Sequence, residues 1–274
     1  MIDNHPAALR RRLTAALRRL RSEAGRTQRD VAKTLGWSPS KIIRIEQGDV
    51  GISVADLWAL LRLYSVDDAQ ITNDLEVLAR GSRRMPYTEY ADVVSSEELK
   101  YFRYEASASV IRQVALNVIP GLLQTDAYAQ SVFEARHFDE ATSAKLIASR
   151  HARQEVLAGT GAPESFFIID EGAMRRLVGG AEVMREQWNH LSEMSRSARV
   201  TIQFLPFDSG AHPALAGPFN LLEFAGDDDP DVLFIEEPTG AVLLRDDLDL
   251  TATYRERFWE IEDLSTDLAN FTLP

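Results

Sequence analysis

The 274-residue chain contains no cysteine. That absence excludes a disulfide framework, a thiol nucleophile and any zinc site built on thiolates, and it fits a reducing compartment. Long apolar runs are lacking too. No stretch approaches the roughly 18 apolar residues of a spanning helix, and the start MIDNHPAALRRRL carries no apolar segment after its charges. The chain is therefore read as cytoplasmic and unsecreted, with no membrane partner. Histidine is sparse and scattered (His5, His137, His151, His190 and His212), with no HExxH pairing, so no metal site is expected. The motifs GxxxxGKS/T, GxGxxG after a strand, and GxSxG are missing, which removes the common signals for nucleotide hydrolysis, dinucleotide binding and a serine elbow. Neighbouring carboxylates such as Asp170–Glu171 and Glu236–Glu237 make a poor acid–base couple, because adjacent strand residues face opposite ways. A self-cleaving Ser/Lys domain has no matching segment. The reading is of a protein without enzymatic activity and without a cofactor.

What is present is ordinary globular material. The chain is 45% hydrophobic and 26% charged, which argues against disorder, and its length suits about two domains. The net charge of −12 would disfavour nucleic acid if it were evenly spread. It is not. Residues 1–84 hold 13 arginines and 2 lysines against 10 acids, a net of +5, which leaves −17 on residues 85–274. The first 47 residues alone have 11 basic against 4 acidic side chains, a net of +7.

Apolar spacing of three and four predicts a helix from Pro6 to Ala24 with an arginine-rich outer face, ended by Gly25. Thr27 caps a second helix, Gln28–Leu35, stopped by Gly36. Ser38–Pro39 opens a third helix to about Gln47, since proline suits the first helical position. Ser53 and Asp56 have capping-box spacing before a fourth, and a fifth runs from Asp67 to Ala79. Residues 1–80 are thus an all-α five-helix domain. GSRRMPYTEYADVVSS has no sustained periodicity, and residues 81–98 are read as a linker.

Residues 99–274 mix types. Strands are expected at Val110–Val118, Phe166–Ile169, Val200–Phe204, Phe219–Phe224, Val232–Ile235 and Val242–Leu244. Helices are expected at Asp126–Arg136, Asp139–Leu157, Met174–Val178, Ala181–Met194 and Leu248–Leu268. Strands cluster toward the end, so the reading is an α+β domain with a mixed or mainly antiparallel sheet.

The segment TQRDVAKTLGWSPSKIIRIEQG resembles the helix-turn-helix of the Cro/C1-type, or XRE, family of transcriptional regulators. Thr27–Gln28 opens the scaffold helix, Ala32 allows a close helix crossing, Gly36 makes the turn, and Ile42 and Ile45 lock the second helix to the core. The major groove admits one α-helix with its N-terminal side chains at base edges. With Ile42 and Ile45 inward, Ser40, Lys41, Ile43 and Arg44 face away, and Gln28 points toward the same surface. Ser40, Lys41 and Gln28 are the expected base readers, and Arg44 reaches a guanine edge or a phosphate. The resemblance implies phosphate or sugar contacts for Gln47 and for the start of the helix at Ser38, while Pro39 departs from the polar residue of many relatives.

From about Leu99 onward the chain resembles the uncharacterised domain that follows such a helix-turn-helix in many actinomycete regulators. The segments that carry this are YEASAS, IPGLLQTDAYA, Arg150/Arg153/Gln154, IDEGAMRRLVGG, LPFDSGAHPALAGPF and FIEEPTGAVL. The resemblance implies a regulator that works with a small cognate partner protein in an antitoxin-like arrangement. Arg150 and Arg153, three apart on one helical face, are read with Asp170 and Glu171 either as a buried ion-pair network or as a ligand or partner site. His212, in a Gly- and Pro-rich loop, is read either as lining a pocket or as a satisfied loop histidine.

The combined expectation is a homodimer that reads a palindromic operator on double-stranded DNA through the helix 39–47. Its acidic C-terminal domain would receive a partner protein or a small-molecule effector. The alternative is an antitoxin-like interaction module that acts mainly by binding its cognate partner.

Overall fold

Leu13, Leu17 and Leu20 recur at helical spacing and form the buried stripe of helix α1 (Pro6–Glu23). The computed structural model describes residues 6–83, 85–158, 161–225, 230–236, 242–245 and 247–272. They fall into two compact units, one built on the chain up to Pro86 and one starting at Tyr87.

The first unit is all helical, as the sequence predicts. Helix α2 (Gln28–Leu35) starts with a complete capping box: Asp30 N–H donates to Thr27 Oγ1 at 3.2 Å, and Thr27 N–H donates to the Asp30 carboxylate at 3.0 Å. It ends at Gly36, whose φ of +66° reverses the chain, and Trp37 N–H then closes on Ala32 O at 2.8 Å. Helix α3 (Pro39–Glu46) has Ser38 as N-cap and Pro39 in its first turn. Helices α4 (Val54–Leu63) and α5 (Ala69–Gly81) begin at Ser53 and Asp68, whose side chains accept backbone N–H groups. Ser53 makes only half of the expected box, because Asp56 turns its carboxylate elsewhere. Val31, Ala32, Ile42, Ile45, Leu57 and Leu60 close the core.

The segment 81–98 is a linker in only its first part. Tyr87 and Val94 are buried in the core of the second unit, and Ser95 opens helix α6 (Ser96–Glu105) with a capping box to Glu98. These residues dock as single anchors rather than as a periodic stripe, which is why the sequence pattern hid them.

Among the described residues the second unit is α+β with a mixed seven-stranded sheet, in the order β6-β5-β4-β1-β2-β3-β7. The strands are β1 (Val110–Ala115), β2 (Glu164–Asp170), β3 (Val200–Leu205), β4 (Phe219–Glu223), β5 (Val232–Glu236), β6 (Val242–Arg245) and β7 (Thr266–Asp267). Strands β1, β2 and β3 are parallel, and the remaining pairings are antiparallel. Period-2 alternation sorts the side chains to two faces. Ile111, Phe167, Ile202, Leu222 and Phe234 join one core with α6, α7 (Asp126–Ala135) and α10 (Ala181–Met194). Val114, Ile168, Phe219 and Leu233 join another with Phe258 and Ile261 of α11 (Leu248–Leu264). Helix α8 (Glu140–Gln154) precedes β2.

Three element ends differ from expectation. Strand β1 stops at Ala115 because the chain leaves the sheet for a turn in which Ile119 N–H donates to Tyr128 Oη at 3.1 Å. The short helix expected at Met174–Val178 is instead α9 (Glu171–Arg175), started by Asp170 accepting from Gly172 N–H at 2.7 Å. Helix α11 ends at Leu264, and Thr266–Asp267 then pairs with β3. Residues 237–241 of FIEEPTGAVL, Glu237 with them, lie outside the described residues, as does His5.

A Cβ added at Gly36 meets nothing within 4 Å, so only backbone strain opposes it. Gly36→Ala is expected to lower the stability of the first unit by about 1 kcal/mol. Urea unfolding followed by tryptophan fluorescence checks this, and an unchanged midpoint would deny the strain at this turn.

Candidate functional site

Helix α3 is positioned by an ion pair beneath it. Arg21 of α1 donates from Nε and Nη2 to the two carboxylate oxygens of Glu46, at 2.7 and 3.1 Å, and the Glu46 side chain is only 2% exposed. Such a fork matches a carboxylate in geometry and charge. The hydrogen bond to Glu46 raises the Arg21 pKa above its usual value, against the opposing effect of burial. Burial, reinforced by the Glu46 charge, pushes the nearby Tyr64 phenol well up. Arg21 also donates to Arg26 O at 2.9 Å, tying the turn before α2 to the same point.

The expected DNA-contacting residues divide into two groups. Ser38, Pro39, Ser40, Arg44 and Gln47 are exposed on α3 and its ends, whereas Gln28, Lys41 and Ile43 are half-buried. Ser38 Oγ accepts from Lys41 N–H at 3.2 Å and lies 3.2 Å from Ser40 Oγ. Among the described residues Arg44 has no ion-pair partner, so its guanidinium is unspent. Gln28 and Lys41 are already engaged. Gln28 Nε2 donates to Glu46 Oε2 at 2.8 Å. Lys41 Nζ lies 3.0 Å from Asp56 Oδ1 and 3.9 Å from the centre of the Trp37 ring. Sequence spacing placed both side chains near this surface but carried no sign of Glu46 or Asp56 as their partners. Glu46 had one available signal, since it follows Ile42 by four positions and so sits on the apolar stripe of its own helix.

In the second unit the anticipated network of Arg150 and Arg153 with Asp170 and Glu171 is not what forms. Arg153 pairs with Glu105 of α6, Nε and Nη2 each donating at 2.8 Å, and the Glu105 side chain is 1% exposed. Asp170 is spent on the start of α9. Glu171 is held by Arg175 at 2.5 Å and accepts Phe207 N–H at 2.8 Å. Burial works against the Glu171 charge, but those two partners outweigh it and keep the carboxyl below its ordinary pKa. Burial also opposes the Arg153 charge, and Glu105 overrides it so that the pKa rises. The guanidinium sits 4.2 Å from the centre of the Phe102 ring.

Arg150 donates to Gln124 Oε1 and stacks 4.8 Å from the Phe133 ring centre. Burial, with the Arg153 and Arg136 charges, pushes its pKa down to about 9. The PGLLQT turn around it is clamped by amides. Gln187 accepts from Thr125 N–H at 2.8 Å and donates to Leu123 O at 2.6 Å, while Gln154 donates to Gln124 O at 2.8 Å. Thr125 caps α7, its side chain accepting from Tyr128 N–H at 3.3 Å. Arg150 and Arg153 thus line one cavity. Glu171 is not part of that lining, and His212 lies in a separate shallow depression with Thr253, Glu256 and Arg257. The Nδ1 atom of His212 is buried without a hydrogen-bond partner among the described residues, which counts against the reading of a satisfied loop histidine. Glu105 and Gln187 escaped the sequence reading, although Glu105 lies three residues after Phe102 on a buried stripe.

Removing one partner of a buried pair strands the other charge. Glu105→Gln is expected to destabilise the second unit by about 3–5 kcal/mol, and Glu46→Ala the first by roughly 3 kcal/mol, since Arg21 keeps some solvent contact. Thermal unfolding monitored by near-UV circular dichroism checks both, and losses below about 1 kcal/mol would reclassify the pairs as surface contacts.

Among the described residues no helix is long and apolar enough to cross a membrane. Residues 12–73 match the family model of a helix-turn-helix domain (HTH_31), which spans α2, the Gly36 turn and α3, and which marks a DNA-binding regulator. No curated protein and no solved structure matches the chain. Residues 99–269 match the model of a domain of unknown function, DUF5753, over more than half of the sequence, and the chain belongs to that family.

Proposed function

We propose that this protein is a sequence-specific transcriptional regulator of the Cro/C1 type, which reads DNA with α3 and receives a signal through its second unit. The observation that carries this is the exposed edge of α3. Arg44, Ser40 and Gln47 stand exposed on a helix whose position is fixed from below by Arg21–Glu46, so the reading head is held firmly and open to a partner. Arg44 supplies the fork that suits guanine O6 and N7, and Ser40 accepts or donates at a base edge. Ser38, Pro39 and the backbone start of α3 approach a phosphate.

Lys41 and Gln28 take secondary roles on this reading, because each would give up a partner before touching a base. Lys41 reaches DNA only when a phosphate outcompetes Asp56. One such head gives modest affinity, so the protein acts as a homodimer whose heads stand about 34 Å apart and meet a palindromic operator. The −17 on residues 85–274 keeps the signal-receiving part off the phosphate backbone. A small cognate partner protein of antitoxin-like systems, or a small-molecule effector, would act on that second unit.

The test is selection of bound fragments from sheared genomic DNA at two salt concentrations, followed by sequencing. Enrichment of a palindromic site supports the reading, and no enrichment at either salt sinks it. On the selected site Arg44→Ala should weaken binding by roughly 1–3 kcal/mol without lowering thermal stability, whereas Lys41→Ala should cost less. An equal loss on random DNA would move Arg44 from base to phosphate.

A further inference from the structure

The cavity beside Arg150 is a partly open space of about 260 Å³, well beyond what one or two ordered waters need. It opens at the carboxyl end of β1, where the sheet changes from parallel pairing with β2 to antiparallel pairing with β4. Crevices at such ends of parallel strands, where the topology switches, are recurrent ligand sites. Gln113 of β1 and Asn220 of β4, paired in register, put two amides on its wall, and Asn220 Oδ1 is buried without a hydrogen-bond partner. Tyr101, stacked on Phe234 at 3.9 Å, lines it together with Phe102, Phe133 and Phe219.

The charges on this lining do not balance. Arg136, Arg150 and Arg153 all contribute to it. Arg153 is neutralised by Glu105, and Glu98, the carboxylate on the lining, is engaged by the backbone and hydroxyl of Ser95 at 3.1 and 2.8 Å. Arg150 has Gln124 as its one hydrogen-bond partner among the described residues, which leaves most of its five N–H donors unassigned. Neither Arg150 nor Arg136 has a carboxylate within salt-bridge distance among the described residues. A guanidinium that burial and the Arg153 and Arg136 charges hold below its usual pKa is stabilised by any anion that enters.

We propose that this cavity binds a small organic anion, a carboxylate or phosphate on an aromatic or apolar body, with Arg150 as the fork for the anionic group, Arg136 at the approach and the aromatic wall around the body. The aromatic rings supply the apolar burial, and the guanidinium selects for charge. This deepens the signal-receiving half of the proposed function. Its test reads binding alone, so it holds or fails independently of whether α3 binds an operator.

The experiment titrates the full-length protein with benzoate, phenyl phosphate, inorganic phosphate and the neutral benzamide, read by isothermal calorimetry and by the thermal midpoint. Benzoate or phenyl phosphate should bind and raise the midpoint, benzamide should bind at least about tenfold more weakly, and which of the two aromatic anions binds better names the headgroup. Arg150→Gln should weaken the anion roughly tenfold, and the exposed Arg136→Gln a few-fold with the fold intact. Arg150→Lys, which keeps charge but loses the fork, should fall between wild type and Arg150→Gln. Absence of anion binding at tens of millimolar (roughly the weakest affinity of interest), equal binding of benzamide, or unchanged affinity in both Arg136→Gln and Arg150→Gln would each overturn the proposal. Binding of inorganic phosphate as tightly as phenyl phosphate would overturn the role of the aromatic wall.

Discussion

Both units are organised around a guanidinium that closes on a glutamate withdrawn from water. Glu46 and Glu105 are each almost fully buried on the apolar stripe of a helix, and each is tolerable there only because an arginine from another helix closes on both of its oxygens. A carboxylate in that position cannot shift by a fraction of a turn without losing its partner. The pairs therefore act less as sources of net stability than as register pins, one fixing α3 on α1 and the other fixing α8 on α6.

In the first unit the pin has a chemical consequence for the surface above it. Glu46 consumes the Arg21 fork and the Gln28 amide, and Asp56 consumes Lys41, so the polar groups close to the core are spent on holding the helix. Those farther out, at Ser40, Arg44 and Gln47, are left to the solvent. A reading head needs this division, because side chains that must discriminate bases should not also have to hold up the helix that carries them.

The second unit shows the same economy with a different outcome. Arg153 is satisfied by Glu105, while its neighbour Arg150 is left with an amide and an aromatic ring inside a cavity. The Gln124, Gln154 and Gln187 amides clamp the PGLLQT turn so that the cavity wall keeps its shape. The cation is thus presented on a rigid frame rather than on a mobile loop.

Helices and their ends were legible because their causes are local. Thr27, Ser38 and Ser53 cap by contacts three residues away, and Gly36 turns the chain by its own φ. Strands β1 to β6 were legible as short β-rich runs bounded by Gly, Pro and Asp, whereas the two-residue β7 was not. Partner choice was not. Arg153 meets Glu105 across 48 residues, and Gln187 meets Leu123 across 64, distances over which composition and periodicity carry no information. Asp170 and Glu171 looked like acceptors for the arginines by charge alone, but the end of β2 turns them to α9 and to Arg175. The sequence by itself determined two differently charged units, the helix-turn-helix and most strand segments of the sheet, because each follows from composition and spacing within one segment. Only the tertiary structure decided which arginine is neutralised and which faces a cavity, because that depends on where distant helices cross.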